Sequence, residues 1–371
     1  MVIETGDDGA VWSVAFHSDG MHLLSGKSDG LRRWRVADGQ EVGNQLEVAM
    51  DVNAISVSRD GNWIVCGSMK GASVWDAKIQ EKVIEVEGTD PVGAVDISPE
   101  STRFATGTGS GGDYKASIWN TITGERLVGP LQHDGHIAGI KFSPNGERIA
   151  TAIEELERSI RVFNSRNGDP LVAIKTDILF RGATTPLAWS NNGERFFAAS
   201  SDRKIKSFDV STGSQLAELQ VHGDNEVMSI ALAANGKFLA TFAGHSISFW
   251  DTSTLTQIGP VIGDSQEIQS IALSPDCSCL ATGGWDGNII IRNLNNIFPD
   301  LNRPEFRVSI YAFTILPDKS HTVFPISISP SGTYSELKNP DRKDLKIVHN
   351  NKTSSLRARK STTRKHRTRL R

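Results

Sequence analysis

The stretch Val11–Arg35, VWSVAFHSDGMHLLSGKSDGLRRWR, decides the fold. Its first six residues alternate as a half-buried strand does, Gly20 and Gly30 mark turns, and Trp34 closes a third apolar run. The pattern then returns six times. The second copy has an inner strand predicted at Val52–Ser58, a turn at Asp60 and Gly61, a second strand at Trp63–Gly67, and ends at Trp75-Asp76. The others run Val92–Trp119, Ile137–Phe163, Leu187–Phe208, Val227–Trp250 and Ile268–Arg292. Measured from Trp34, equivalent positions fall at 75, 119, 163, 208, 250 and 292, a period of 41 to 45 residues.

A unit of that size cannot cover both faces of its own sheet, so consecutive units are expected to stack face to face around a shared core. A linear stack would leave bare ends. Val2–Val11 lines up with Val83–Val92, where the first residues are read as the outer strand of the preceding unit. Met1–Thr5 is therefore expected to be the missing outer strand of the last unit, paired beside Asn288–Asn293, which closes the ring and removes its exposed edge.

Period and motifs resemble the WD40 repeat family, over Val2 to about Asn293, and the cadence is similar to that of tandem arrays in fungal WD40 proteins. The residues that carry the resemblance are the pairs Trp75-Asp76 and Trp250-Asp251, the weaker forms Trp119-Asn120, Phe163-Asn164 and Phe208-Asp209, and the Asx-Gly turns before the second strands. The resemblance implies an all-β, seven-bladed propeller closed by an N-terminal strand, with Trp34, Trp75, Trp119, Phe163, Phe208 and Trp250 as structural positions. It also implies a bracing chain of His, Ser or Thr, turn acid and Trp in each blade. Here the turn acids are Asp29, Asp113, Glu157, Asp202 and Asp286, while the His survives only as His133.

Composition limits the rest. With 371 residues the chain exceeds the size of a single ordinary core, and no segment approaches the roughly 18 apolar residues of a membrane span. No secretory signal is read at the N-terminus, and the three cysteines, Cys66, Cys277 and Cys279, suit a reducing compartment. The formal net charge of −3 conceals a division, because Lys352–Arg371 holds nine basic residues and no acid, against 31 basic and 43 acidic elsewhere. The expected organisation is a propeller over 1–295, an irregular extension with a degenerate eighth-repeat fragment over 296–350, and a disordered basic tail over 351–371.

Candidate chemistry is sparse. There is no Gly-x-Ser-x-Gly elbow, and Gly107–Gly112 lacks the Lys-Ser/Thr of a phosphate loop. His133 and His136, three apart, are the nearest approach to a ligand pair, so neither metal nor cofactor is expected. By analogy with the family, the narrow loop-bearing face should carry Trp12, Asn53, Gly93, Ala138, Thr185, Met228 and Gln269 at the starts of inner strands. Ser28, Met69, Gly112, Leu156, Ser201, Ala243 and Trp285 should stand before the turn acids. Closure brings blades seven, one and two together, which nominates Trp12, Met69 and Trp285 as a partner-binding patch. Insertions at Gly109–Tyr114 and Glu154–Glu157 roughen the same rim.

The expected function is a non-enzymatic scaffold that assembles other proteins, monomeric, not membrane-bound, cytoplasmic or nuclear. The alternative is a nuclear, chromatin-associated factor whose basic stretch Arg357–Arg371 contacts nucleic acid.

Overall fold

A computed structural model describes residues 1–6, 9–48, 50–87, 90–109, 113–154, 159–175, 186–200, 203–221 and 229–298, and four later strands. The chain divides into two compact units, Met1–Ile297 and Phe298–Arg371.

The first unit is a ring of seven antiparallel sheets. Blade one pairs Ser13–Phe16, His22–Lys27 and Gly30–Arg35 in order. Its fourth position is an irregular segment tied on by Leu31 and Leu46, whose amides each donate to the other's carbonyl at 3.1 and 2.8 Å. Blades two to six are four-stranded, with inner strands Val52–Val57, Val92–Ile97, Ile137–Phe142, Leu187–Trp189 and Ser229–Leu232. Blade seven takes three strands from the end of this unit, Ile268–Leu273, Cys279–Gly284 and Asn288–Asn293, and its fourth from the unit's beginning. That strand, Val2–Glu4, sets Val2 opposite Ile290 and Ile3 opposite Ile289, the closure expected from the repeat register. Inner strands neighbour one another all the way round, blade seven beside blade one.

Cross-blade packing is set by a notch in the second strands. A Cβ on Gly26 would lie 2.5 Å from Val52, and one on Gly283 would lie 2.5 Å from Val11. No real Cβ tolerates such an approach, so glycine lets a valine at or just before the start of the next inner strand sink into the blade behind it. Polar links follow the same direction, with the Val14 amide donating to Ser270 Oγ at 3.0 Å and the Ile55 amide to Ser13 Oγ at 3.1 Å.

Within the blades the bracing is partial. The indole N–H groups of Trp34, Trp119 and Trp250 donate to Ser25, Thr106 and Thr241 at 2.8, 2.9 and 3.0 Å. Trp75 turns instead to Ser73 on its own strand, at 2.9 Å. The second-strand position opposite is the buried Cys66, whose thiol burial pushes up to about 12. Phe163 has no N–H, and in that blade His133 Nε2 meets Thr151 Oγ1 at 2.9 Å while its ring packs edge-on against Phe163. Phe208 is buried. Blade seven solves the problem with charge, since Arg292 bridges Thr282 at 3.0 Å and the Asp264 carboxylate at 2.9 Å.

The second unit contains the strands Ile310–Ile315, His321–Ile326, Leu345–His349 and Lys352–Leu356. The first hairpin and the second are joined through Ile310–Ile315 and Leu345–His349, so the strand order differs from the consecutive order of a blade. Residues 357–371 of the basic tail lie outside the described residues.

Two outcomes test this account. Ile3, 4% exposed, packs with Val11, Trp34 and Ile289, so Ile3→Ala should cost about 2 to 4 kcal/mol in denaturant unfolding, whereas Val2→Ala at an exposed neighbour should stay within about 0.5 kcal/mol. Burial pushes the His133 imidazole down to about 4, below its ordinary value. The unfolded chain therefore binds the proton first as pH falls, and this contribution to stability is present above about pH 6.5 and lost as pH falls toward 4. Unfolding free energy should drop by about 2 kcal/mol between pH 8 and 5 on this account, and His133→Gln should flatten that part of the slope.

Candidate functional site

Strand alternation places the starts of the inner strands and the turns between second and third strands on one face of the ring. Trp12 precedes the inner strand of blade one, with its amide on the Gly26 carbonyl at 3.0 Å. Trp285 follows the second strand of blade seven, with its amide on the Glu267 carbonyl at 3.1 Å. Between them Val11 donates to the Gly284 carbonyl at 3.0 Å, so the two loops are laced together by the backbone. The indoles meet edge to face, with centroids 5.0 Å apart and planes at 71°. Trp12 is half-buried and Trp285 is 48% exposed, so one ring supports and the other is presented. Of the nominated patch, the structure therefore joins Trp12 to Trp285. Met69, also exposed, stands on blade two, where its sulfur accepts a hydrogen bond from the Asn53 amide at 3.7 Å.

Below the indoles lies the closing seam. Thr5 Oγ1 donates to the Gly287 carbonyl at 2.6 Å and accepts from Lys27 Nζ at 2.5 Å. Lys27 is wholly buried, and burial holds its ammonium below the ordinary lysine value. Arg32 reaches the Thr5 carbonyl and the Asp29 carboxylate, both at 2.6 Å. Sequence reasoning missed Lys27, because a cationic residue ending a strand reads as a solvated tip, and only ring closure covers it.

The turn acids stay local. Asp29 pairs with Arg32, Asp113 with Lys115, and Asp286 accepts from the Asn288 amide and side chain at 3.1 and 2.7 Å. None of these three is hydrogen-bonded to a blade tryptophan among the described contacts. Glu157, Asp202, Thr185, Met228, Gly112, Leu156 and Ser201 lie outside the described residues. His133 is committed to Thr151 and the Leu131 carbonyl, and His136 to Glu154 at 3.2 Å. All three cysteines are free thiols.

Along the ring axis the inner strands enclose a cavity of about 50 Å³, with Ser13, Ser229 and Ser270 among its lining. It has room for a few waters. No helix among the described residues is long and apolar enough to cross a membrane.

Comparison with known proteins agrees with the repeat register. The family model described as "WD domain, G-beta repeat" matches residues 2–31, 45–76, 213–251 and 255–293. A guanine nucleotide-binding protein subunit beta of Arabidopsis thaliana is 27% identical over 315 residues, covering 77% of this chain and 81% of the relative. Proteins of the same name from Oryza sativa subsp. japonica and Nicotiana tabacum are each 27% identical, with the same coverage. Four matched repeats, set among seven like blades in a closed ring, make this chain a WD40-repeat β-propeller.

Proposed function

We propose that this propeller is a non-enzymatic scaffold that assembles other proteins on its loop-bearing face, with Trp285 as the presented anchor and Trp12 as its support. The observation that carries this reading is the edge-to-face pair itself, an exposed indole whose backbone and neighbour are already fixed. A large rigid aromatic in that setting loses little conformational freedom on binding and is the residue type that dominates interface energetics. The axial cavity of about 50 Å³ is small beside the roughly 300 to 1,000 Å³ of pockets that enclose metabolites, which favours surface recognition over chemistry. The relatives are named as subunits, chains that work within an assembly, and a protein partner for this chain is in keeping with that. We place its work in the cytoplasm, with the nucleus second, as one propeller per particle. A nucleic-acid role would rest on the charge of Arg357–Arg371 alone, and it would be read as binding that weakens steeply with added salt in the full chain but not in one ending at Asn351.

A photo-crosslinking residue at position 285 should capture partner proteins in cells, and one at Ile122, exposed in the turn between the last two strands of blade three, should not. Trp285→Ala should weaken binding of a partner so identified by more than about tenfold, while the unfolding midpoint stays within a few degrees of the unsubstituted protein. Unchanged affinity in that variant would sink the anchor role.

A further inference from the structure

On the rim opposite the indole pair, the hairpin between the first two strands of blade one gathers His17, Asp19 and His22, whose ligand atoms all lie within 4.8 Å of one another. Asp19 Oδ2 is 2.9 Å from His17 Nδ1 and 2.8 Å from His22 Nδ1. The other carboxylate oxygen, Oδ1, is spent on the turn, accepting from the Met21 and His22 amides at 2.7 and 3.0 Å.

His17 Nε2 faces the Gly61 carbonyl of blade two at 3.0 Å, and a carbonyl only accepts, so Nε2 carries the proton. His17 Nδ1 then has a lone pair, which agrees with its accepting a long 3.3 Å bond from the Asp19 amide. His22 Nδ1 lies between the Asp19 carboxylate at 2.8 Å, to which it donates in one tautomer, and Arg33 Nη2 at 3.1 Å, from which it accepts in the other, and a metal takes it in the accepting form. Two imidazole nitrogens and a carboxylate oxygen thus converge, and a metal ion bound there displaces the proton shared between His22 and Asp19. A ligating histidine whose other N–H rests on a backbone carbonyl is the usual support of a metal site.

We propose that His17, Asp19 and His22 form a three-ligand site for a divalent transition-metal ion of the zinc class. Two nitrogens and one oxygen suit such an ion, and they leave one coordination position open to solvent or to a partner's side chain. Metal–ligand bonds near 2.0 to 2.1 Å set ligand atoms about 3.3 Å apart, so the two carboxylate–imidazole contacts open slightly and the imidazole nitrogens, within 4.8 Å of each other, adjust by small shifts of side chains that are 12%, 24% and 19% exposed. Arg33 is the opposing charge, 4.0 Å from Asp19 Oδ2. Its second nitrogen already donates to the Ala77 carbonyl at 3.3 Å, so it keeps a partner when it yields His22 to the metal.

Zinc chloride titrated into the full chain, followed by calorimetry and by the histidine imidazole resonances, tests the site. The expected result is one tight ion per chain that moves the His17 and His22 resonances and leaves exposed His245 unmoved. His22→Gln and Asp19→Asn, the latter keeping the turn acceptor, should each weaken binding by more than about tenfold, and His245→Gln should leave it unchanged. Zinc that fails to move the His17 and His22 resonances in the unsubstituted protein overturns the proposal, whatever the variants do. Affinity that survives both ligand substitutions also overturns it.

Discussion

A blade of this protein is apolar on both faces, so no blade is stable without a neighbour on each side. Valines at or just before the starts of inner strands press into glycine notches of the blade behind, Val52 at Gly26 and Val11 at Gly283. This contact sets the spacing between blades in one direction around the ring, and the Ser13 and Ser270 hydroxyls, accepting backbone N–H groups of the following blade, point the same way. Seven units that each need two neighbours have one solution without an exposed apolar face, which is closure. The Trp12 and Trp285 loops then meet because closure puts blade seven beside blade one.

The ring was legible in the chain because its period is written in large residues at fixed positions. Trp34, Trp75 and Trp250 are buried where the register put them, and Val2–Glu4 pairs beside Asn288–Asn293 as the alignment of Val2 with Val83 required. Less legible was how each blade holds itself together. Arg292 stands where the other blades carry tryptophan or phenylalanine, and with Asp264 it makes a bridge whose two halves lie 28 residues apart. A search for His and Trp has no means of finding that pair. Lys27 was hidden for the same reason, since its burial comes from Thr5 and the closing seam, not from its own strand.

The His17, Asp19 and His22 cluster shows a third limit. Spacings of two and three residues look unremarkable when ligands are sought at helical intervals, but a tight hairpin folds such positions onto one edge. The Gly61 carbonyl that orients His17 comes from the next blade. What the sequence carries locally is the turn. The orientation of His17 belongs to the stacking of blade two on blade one, whereas the meeting of Trp12 and Trp285 belongs to closure.

Closure also has a cost in time. The strand Val2–Glu4 is made before any other part of the ring, and its partner Asn288–Asn293 after all the rest of it. At about 5 to 20 residues per second, synthesis keeps the two apart for roughly 15 to 60 seconds. Throughout that interval Ile3 has no blade to enter, and the glycine face of blade seven does not exist for Val11 to fill. Blades two to six can stack as they emerge, through contacts close in sequence, while the ring's last join depends on the most distant pairing in the propeller. A nascent chain of this protein is thus an open stack with two sticky ends, and its exposure to misassembly with a second copy lasts until Asn288–Asn293 has been made.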